Sequence, residues 1–279
     1  MTTASQDGPK GRVLIIAGSD SGGGAGIQAD IKAVTAAGGY AMTAVTAITV
    51  QNTLGVSNVH GVPLAIVAEQ IDSVLSDLGA DAIKTGMLGT RAMVETVAER
   101  LHARARTIPA VIDPVMVAKG GHPLLADDAV GAVRAELVPL AALLTPNAPE
   151  AERLAEVAVE TLDGQRRAAE RLLRRGARAV LVKGGHIDGA RFTDLLATHD
   201  GETFFEAERI VTRSTHGTGC TLASAIAARL AQGMDLIDAV AEARDYVFEA
   251  IRRAPGFGAG HGPLDHAWPL RDAAERAKA

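Results

Sequence analysis

Short apolar runs alternate with longer amphipathic segments along most of this chain, and this alternation limits the possible folds more than any other feature. The run 13–17 (VLIIA) is typical of a buried strand, and the segment 24–37 after it has the length and pattern of a helix. The pattern repeats as far as the run 179–182 (AVLV). Such a series predicts a parallel sheet with right-handed crossovers and helices on both faces.

The predicted elements follow from the same pattern. Strands are predicted at 13–17, 41–50, near 82, near 111, near 142 and at 179–182, and helices at 24–37, 63–77, 90–104, 126–137, 148–158, 161–175, 218–231 and 235–252. RFTDLLAT and GETFFEAER predict two antiparallel edge strands around an Asp-Gly turn. We find no composition break, so we expect a disordered tail at 1–11, a single domain at 12–270 and a charged tail at 271–279.

Composition restricts the core and the partners. With 47% hydrophobic but only 3% aromatic residues, the core must consist of Ala, Val, Ile and Leu. A net charge of -5 provides no basic surface for nucleic acid or an anionic membrane. The uncharged stretch 33–68 is divided by glycine, proline and amide residues into pieces too short to span a bilayer. A single cysteine fits a reducing compartment, and we expect a cytoplasmic protein.

A glycine-rich turn, AGSDSGGGAGIQAD, follows the first strand. Its glycines would allow close approach of a ligand to free amide groups at a helix start. Gly24, Gly26 and Ala29 also fit a dinucleotide fingerprint, but no acid that could bind a ribose occurs between Asp30 and Glu69. Three interpretations therefore remain: a ligand loop, a dinucleotide site, or a turn needed only for tight packing.

Polar side chains follow several other strands, where ligands bind in open sheets of this type. The amide of Gln51 could pair with an amino-substituted heteroaromatic ring or cap a loop, and Met87 could line such a ring or pack in the core. Asp113 could serve Mg²⁺ or cap a helix, and the loop 119–122 after it is our candidate lid. Asn147 and Glu150 have spacing for one helix face or for a capping box.

Two further features indicate phosphate chemistry. Lys183 precedes two glycines at the end of a strand, which could place a fixed cation beside free amides or leave an exposed lysine. The motif HGTGCTL puts Gly217 and Cys220 at the start of an apolar helix. The start of a helix binds anions in many proteins. The positive end of that helix should lower the pKa of Cys220 and favour the thiolate. The alternative is an inert buried cysteine.

In this order and at these separations, AGSDSGGGAGIQAD, VQNTLGV, KTGMLG, DPVMVAKGG, LLTPN, VKGGH and STHGTGCTL resemble the hydroxymethylpyrimidine/phosphomethylpyrimidine kinases of thiamine biosynthesis. The resemblance implies a three-layer αβα ribokinase-like fold with a mostly parallel central sheet, usually as a homodimer. It also implies transfer of the γ-phosphate of MgATP to 4-amino-5-hydroxymethyl-2-methylpyrimidine and then to the resulting monophosphate. The glycine-rich loop departs from the family pattern, which usually has Pro-Ser at positions 21 and 22.

The resemblance implies a role for each matching residue. The catalytic set is Cys220 as the base, Gly217, Thr218 and Gly219 as the anion site, and Lys183 near the phosphates. The substrate set is Gln51, Gly18, Ala25, Met87 and Val115. The metal or phosphate set is Asp113, Asn147 and Glu150. The alternatives are a pyridoxal kinase of the same fold, a NAD-dependent oxidoreductase and a non-catalytic pyrimidine sensor.

Overall fold

The computed structural model describes Gly8 and residues 10–118, 120–187 and 189–278. Most of the predicted N-terminal tail and Lys119 of the candidate lid lie outside these residues. The strands are β1 (Arg12–Asp20), β2 (Tyr40–Asn52), β3 (Gly55–Gly61), β4 (Ala82–Thr85), β5 (Ala110–Ile112), β6 (Leu143–Leu144), β7 (Ala179–Val182), β8 (Arg191–Thr198) and β9 (Glu202–Glu208). The helices are α1 (Gly26–Ala36), α2 (Leu64–Asp77), α3 (Arg91–Arg104), α4 (Asp127–Ala132), α5 (Ala148–Ala155), α6 (Leu162–Arg174), α7 (Thr218–Ala231), α8 (Leu236–Arg252) and α9 (Trp268–Arg276).

All of these strands belong to one sheet with the order β3-β2-β1-β4-β5-β6-β7-β8-β9. The strands from β2 to β7 in this order are parallel, whereas β3 at one edge and β8 and β9 at the other are antiparallel to their neighbours. The chain passes from β1 to β2 on one side and then returns to β4 on the other side. The direction in which the chain adds successive strands to the sheet therefore reverses at β1. Open sheets of this kind form a ligand crevice at such a point.

Helices cover both faces of the sheet because β1 is apolar on both sides. Leu14 and Ile16 are fully buried in the cluster that contains α2 to α6, and Val13 and Ile15 are fully buried in the cluster that contains α1, α7 and α8. Successive side chains of a strand point to opposite faces, so these two clusters form separate core layers. The prediction of a three-layer α/β fold with a mostly parallel sheet is confirmed.

The predicted elements agree with the structure except in three places. Strand β3 was not predicted, because its sequence GVSNVHG is polar and mostly exposed and lacks apolar alternation. The helix predicted at 126–137 is α-helical only as far as Ala132. It continues as a short π-helix to Leu137 and as a 3₁₀ turn to Leu140. Helix α9 was also not predicted, and it extends across residue 270, where we placed the end of the domain. The domain limits stay a prediction.

The parallel strands bring their carboxyl ends to one edge of the sheet, together with the loops that carry the candidate residues. Helix α7 also begins at this edge, and it packs across β1, β4 and β5. Within the described ranges, no helix combines the length and the apolar character needed to cross a bilayer.

Candidate active site

One cavity of about 600 Å³ lies at this edge of the sheet, and every candidate residue from the sequence lines it. These residues are Gly18, Ala25, Gln51, Met87, Asp113, Val115, Asn147, Glu150, Lys183, Gly217, Thr218, Gly219 and Cys220. They come from the last residues of β1 and β2, from the loops after β1, β4, β5, β6 and β7, and from the starts of α5 and α7. The structure therefore brings all of them together.

Asp20 shapes the glycine-rich turn at the centre of the cavity. Its buried carboxylate accepts hydrogen bonds from the amides of Gly22, Gly24 and Ala25, at 2.8, 3.1 and 2.8 Å. The same carboxylate lies 2.8 Å from Nε2 of His216, just before α7. Burial alone would raise the pKa of Asp20, but the hydrogen bonds from His216 and the amides hold it below its usual value. Asp20 is therefore an anion that fixes the loop.

The amide of Gln51 keeps hydrogen-bonding capacity for a ligand. Its Nε2 lies 3.3 Å from Nε2 of His216, which also contacts Asp20. Because the ionised carboxylate only accepts, the imidazole nitrogen must donate to Asp20 and offers no acceptor to Gln51. The backbone of Gln51 is fixed by two hydrogen bonds with Ser21 Oγ, at 2.8 and 2.9 Å. A rigid backbone thus presents an amide with unused donors to the cavity.

Apolar atoms line the cavity beside Gln51. A Cβ at Gly18 would collide with Cε of Met87, so the absence of a side chain at Gly18 lets the buried methionine reach the loop. Ala25 and Val115 line the same cavity. A flat ring would therefore meet flexible thioether and methyl groups as well as the polar amide of Gln51.

A buried cation lies against the turn before α7. Lys183 Nζ is 3.2 Å from Oδ1 of Asp113, and the Thr145 hydroxyl donates to the same oxygen at 3.2 Å. A Cβ built at Gly219 would lie 3.3 Å from Lys183 Nζ and 3.6 Å from Asp113 Oδ2. The lysine side chain is only 14% exposed. The interpretation of Lys183 as an exposed lysine is therefore wrong, because this ammonium group faces the glycine turn.

Asn147 and Glu150 form the capping box of α5. Asn147 Oδ1 accepts from the Glu150 amide at 2.9 Å, and the Glu150 carboxylate accepts from the Asn147 amide at 2.8 Å. Burial raises the pKa of Glu150 to about 7; nearby Lys183 lowers it and Asp113 raises it further. Of the two alternatives for this spacing, the capping box is present, and it holds the carboxyl group at the cavity wall.

The donor set fits a magnesium ion that arrives with phosphates. No group of three His, Cys, Asp or Glu side chains that could hold a metal ion occurs in the part of the chain that the structure describes. Asp113 and Glu150 nevertheless bring two carboxyl groups to the cavity. Mg²⁺ commonly uses one or two protein carboxylates, with substrate phosphates and water as its other ligands. The residues present therefore suit that mode of binding.

The start of α7 has the geometry of an anion site. Gly217 is its N-cap residue, with φ 81° and no side-chain hydrogen bond to the first turn. The first amide groups of a helix have no acceptor within the helix and carry the positive end of its dipole. A Cβ at Gly217 would collide with the carbonyl oxygen of Gly24. This close approach joins the two glycine-rich turns into one wall.

The expectation of a lowered pKa for Cys220 is wrong. The thiol is half-buried, and burial raises its pKa to about 11. Lys84 lowers this pKa, whereas Asp30 and Asp113 raise it. The backbone of Gly26 also lowers it. Desolvation of the sulfur, together with the two carboxylates, therefore outweighs the effect of Lys84.

Sequence reasoning missed four polar residues around this site. Asp20 and His216 lie within motifs that we recognised, but their mutual contact has no local signal because 196 positions separate them. Lys84 and Asp30 form a fully buried ion pair between β4 and α1. The sequence offered one signal for each of these two residues: Lys84 interrupts an apolar strand segment, and Asp30 lies on the helix face that packs inward.

Comparison with known proteins identifies relatives of this chain. A family model described as phosphomethylpyrimidine kinase matches residues 20–265. The chain is 50% identical over 270 residues to the thiamine biosynthesis bifunctional protein ThiED of Geobacter sulfurreducens. The aligned region covers 96% of this chain and 54% of that protein. The chain thus spans about half the length of that relative. It is 45% identical to the hydroxymethylpyrimidine/phosphomethylpyrimidine kinase of Bacillus subtilis, over 91% of this chain and 94% of that protein.

Solved structures have the same fold. An ADP complex of Bacillus subtilis pyridoxal kinase superposes with a TM-score of 0.85 at 33% identity and covers 94% of this chain and 99% of that chain. A phosphomethylpyrimidine kinase from Clostridium difficile 630 superposes with a TM-score of 0.78 at 39% identity, over 87% of this chain and 100% of that chain. Backbone shape favours the first structure and sequence identity favours the second, so shape alone does not separate the two activities.

We expect Gly217→Ala to destabilise the protein by about 2 kcal/mol or more, because it combines a positive φ with a collision against Gly24. Gly233→Ala is the matched control: Gly233, just beyond the other end of α7, has φ 84° but no atom within 4 Å of an added Cβ. This control should cost about 1 kcal/mol. Urea unfolding measures both values, and equal losses would contradict the close contact between the two turns.

We expect Glu150→Gln to remove a pH dependence of stability. Because the folded pKa of Glu150 is raised to about 7, its stabilising contribution is present below the unfolded pKa and is lost as the pH rises through 7. The free energy of unfolding of the wild type should thus fall relative to that of the variant by about 1 to 3 kcal/mol between about pH 5 and pH 8.

Glutamine keeps the capping box, so the comparison isolates the charge. Glu152→Gln, at an exposed position of the same helix, is the control and should show little of this effect. Urea unfolding at several pH values measures the difference. A constant difference between wild type and Glu150→Gln would refute the pKa that we assign to Glu150.

Proposed function

The chain belongs to the phosphomethylpyrimidine kinase family, and on this basis we propose that it phosphorylates 4-amino-5-hydroxymethyl-2-methylpyrimidine with ATP in thiamine biosynthesis. A second transfer then converts the monophosphate to the diphosphate. One observation carries the proposal: a single cavity joins an amide-bearing ring pocket to a glycine turn, a cation and a thiol. These are the parts that a kinase for a small heteroaromatic alcohol requires.

Cys220 is the general base in this proposal. Its thiolate takes the proton of the hydroxymethyl group as the oxygen attacks the γ-phosphorus and ADP leaves. The amides of residues 217–219 stabilise the charge on the transferred group, since they lie at the positive end of α7. A base whose thiol is protonated in the unliganded enzyme needs nearby positive charge before it can act.

Lys183 is the proposed group that holds the phosphates of ATP. Its ammonium group lies beside Gly219 and is oriented by Asp113 at 3.2 Å. A cation held in this way stabilises the charge of the transferred group without having to reorganise during the reaction.

Asp113, Asn147 and Glu150 are the proposed groups for Mg²⁺ or its waters. Mg²⁺ bound with ATP would neutralise charge on the phosphates. The carboxylate of Asp113 also holds Lys183, and the capping box fixes Glu150 at the cavity wall. These residues would therefore orient both the ammonium group and the ligands of the ion.

Gln51 is the proposed residue for recognition of the pyrimidine. Its amide has donors that His216 cannot use, and a primary amide matches the amino group and ring nitrogen of an aminopyrimidine. Gly18, Ala25, Met87 and Val115 would contact the ring faces and the methyl group.

Pyridoxal kinase activity is the second candidate, because the TM-score with the Bacillus subtilis pyridoxal kinase is 0.85. The family model and the higher identity to pyrimidine kinases favour the first candidate. Both activities would use the same cavity and the same base.

We also propose a homodimer. Ile48 and Val50 lie two residues apart on β2, hence on one face, and both are more than half exposed. A second copy of the chain would cover this apolar surface, and sedimentation of the purified protein measures the assembly state. A cytoplasmic location also belongs to this proposal.

Phosphorus NMR tests the proposed function directly. Purified protein with MgATP and the hydroxymethylpyrimidine should produce a monophosphate first and a diphosphate later. A parallel reaction with pyridoxal should be slower. Product from pyridoxal alone would assign the protein to the second candidate, and no product from either substrate would refute a kinase.

We expect Gln51→Leu to raise the KM for the pyrimidine about tenfold or more, because a buried ring amino group would lose its partner. The KM for ATP should change little, since Gln51 lies on the ring side of the cavity. Initial rates with each substrate varied in turn measure both constants. An equal rise in both would contradict the placement of Gln51.

A further inference from the structure

A fully buried ion pair lies behind the candidate active site. Lys84 of β4 and Asp30 of α1 are 0% exposed, and Lys84 Nζ is 2.9 Å from both carboxylate oxygens. Ser224 of α7 donates to the same carboxylate at 2.7 Å. Burying two charges costs as much as their attraction returns in many proteins, so stability alone is a weak explanation for this pair.

The pair lies one helical turn below the cysteine. Ser224 follows Cys220 by four residues on α7, and Asp30 follows Gly26 by four residues on α1. Since residues four apart share a helix face, the first turns of both helices meet at Cys220 and their second turns meet at the ion pair. The backbone of Gly26 also affects the pKa of Cys220, which agrees with this arrangement.

The Lys84 side chain fits closely in this position. A Cβ at Gly86 would lie 2.9 Å from Lys84 Nζ and 3.0 Å from the Cβ of Ala17. Only a glycine at this point leaves room for the ammonium group next to β1. The backbone therefore fixes the lysine, and Asp30 fixes its charged end.

Four charged groups act on Cys220. Lys84 lies behind it and Asp30 is next to that lysine, whereas Asp113 and Lys183 lie on the side of the cavity. Lys183 is already shared between Asp113 and the proposed phosphate site. Lys84 is therefore the cation among these four that has no role in the proposed chemistry.

Asp20 and His216 also line this cavity, and they contact each other at 2.8 Å. Both residues are unchanged in all the variants that test the proposal.

We propose that Lys84, oriented by Asp30, is a positioning residue whose ammonium group stabilises the thiolate of Cys220 during proton transfer. This inference rests on the proposed role of Cys220 as the base. Lys84 touches neither the substrate nor the phosphates; it acts through the cysteine alone. When the thiolate accepts the substrate proton, Lys84 keeps its own proton and its contact with Asp30.

The sign of two substitutions separates this role from a structural one. Lys84→Met should raise the pKa of Cys220, because it removes the favourable cation. Asp30→Asn should lower it, because it removes an anion and leaves the thiolate as a counterion for Lys84. Disturbed packing would change both variants in the same direction.

The chain has a single cysteine, so alkylation below about pH 9, where lysine amines are still protonated, reports on Cys220 alone. We would measure the rate of iodoacetamide modification by intact mass at several pH values in this range, where the rate follows the thiolate fraction, and derive the shift of the midpoint between variants from it. The midpoint for Lys84→Met should rise by about one unit, which means a thiolate fraction about tenfold smaller at a fixed pH below the midpoint. The midpoint for Asp30→Asn should fall. Arg91→Met and Glu95→Gln, which remove one charge each from an exposed pair, are controls and should leave it unchanged.

Equal midpoints in wild type and Lys84→Met, or shifts of the same sign in both buried variants, would overturn the proposal. If Lys84→Met does not fold, the double variant Asp30→Asn with Lys84→Met removes both charges and retains an acceptor for Ser224. Its midpoint should lie above that of Asp30→Asn alone, because only the single variant retains the cation that lowers the pKa of Cys220. A midpoint at or below that of Asp30→Asn would refute the role of Lys84.

Turnover separates this proposal from the proposed function. The kcat of Lys84→Met should fall while the KM for ATP stays constant, and the activity should recover partly at higher pH. If the protein phosphorylates the pyrimidine but the alkylation midpoint of Lys84→Met is unshifted, the proposed function holds and the role of Lys84 is refuted. If the midpoint shifts but the pyrimidine is not phosphorylated, the effect of Lys84 on Cys220 holds and the proposed function is refuted.

Discussion

The contact between Asp20 and His216 holds the functional end of the molecule together. It joins the turn after β1 to the turn before α7 across 196 positions, and the same carboxylate accepts three amide hydrogen bonds from the glycine-rich loop. Hydrogen bonds to an ionised carboxylate are stronger than those between neutral groups. Gly217 lies against Gly24 next to this contact, where the anion site borders the cavity.

The charged groups in and behind the cavity form ion pairs. Lys183 lies against Asp113 at the cavity wall, and Lys84 lies against Asp30 in the buried layer behind it. Each carboxylate fixes the ammonium group of its lysine. Fixed cations cost little reorganisation when a ligand brings negative charge, and this suits phosphoryl transfer. Burial raises the pKa of Cys220 and favours the protonated thiol, and the fixed ammonium group of Lys84 acts against this effect.

Most of the fold could be predicted because apolar strand segments alternate with amphipathic helices. The predicted bounds of α7 agree with the structure, since an apolar segment follows glycine at its start. Strand β3 could not be predicted, because its pairing with β2 uses backbone hydrogen bonds and leaves polar side chains exposed. The candidate residues follow parallel strands in the sequence, and the carboxyl ends of such strands lie at one edge of a sheet. Their meeting in the cavity could therefore be predicted. The pKa of Cys220 could not be predicted, because it depends on burial and on Asp30, a residue 190 positions away in the chain.

The central claim is that Cys220 takes the substrate proton, and the single-turnover rate of Cys220→Ala tests it most directly. The variant should unfold at the same urea concentration as the wild type and bind ATP equally well. Its rate of phosphoryl transfer to the pyrimidine should fall by about 10² to 10⁴. A rate equal to that of the wild type would contradict the claim and leave the cavity without its base.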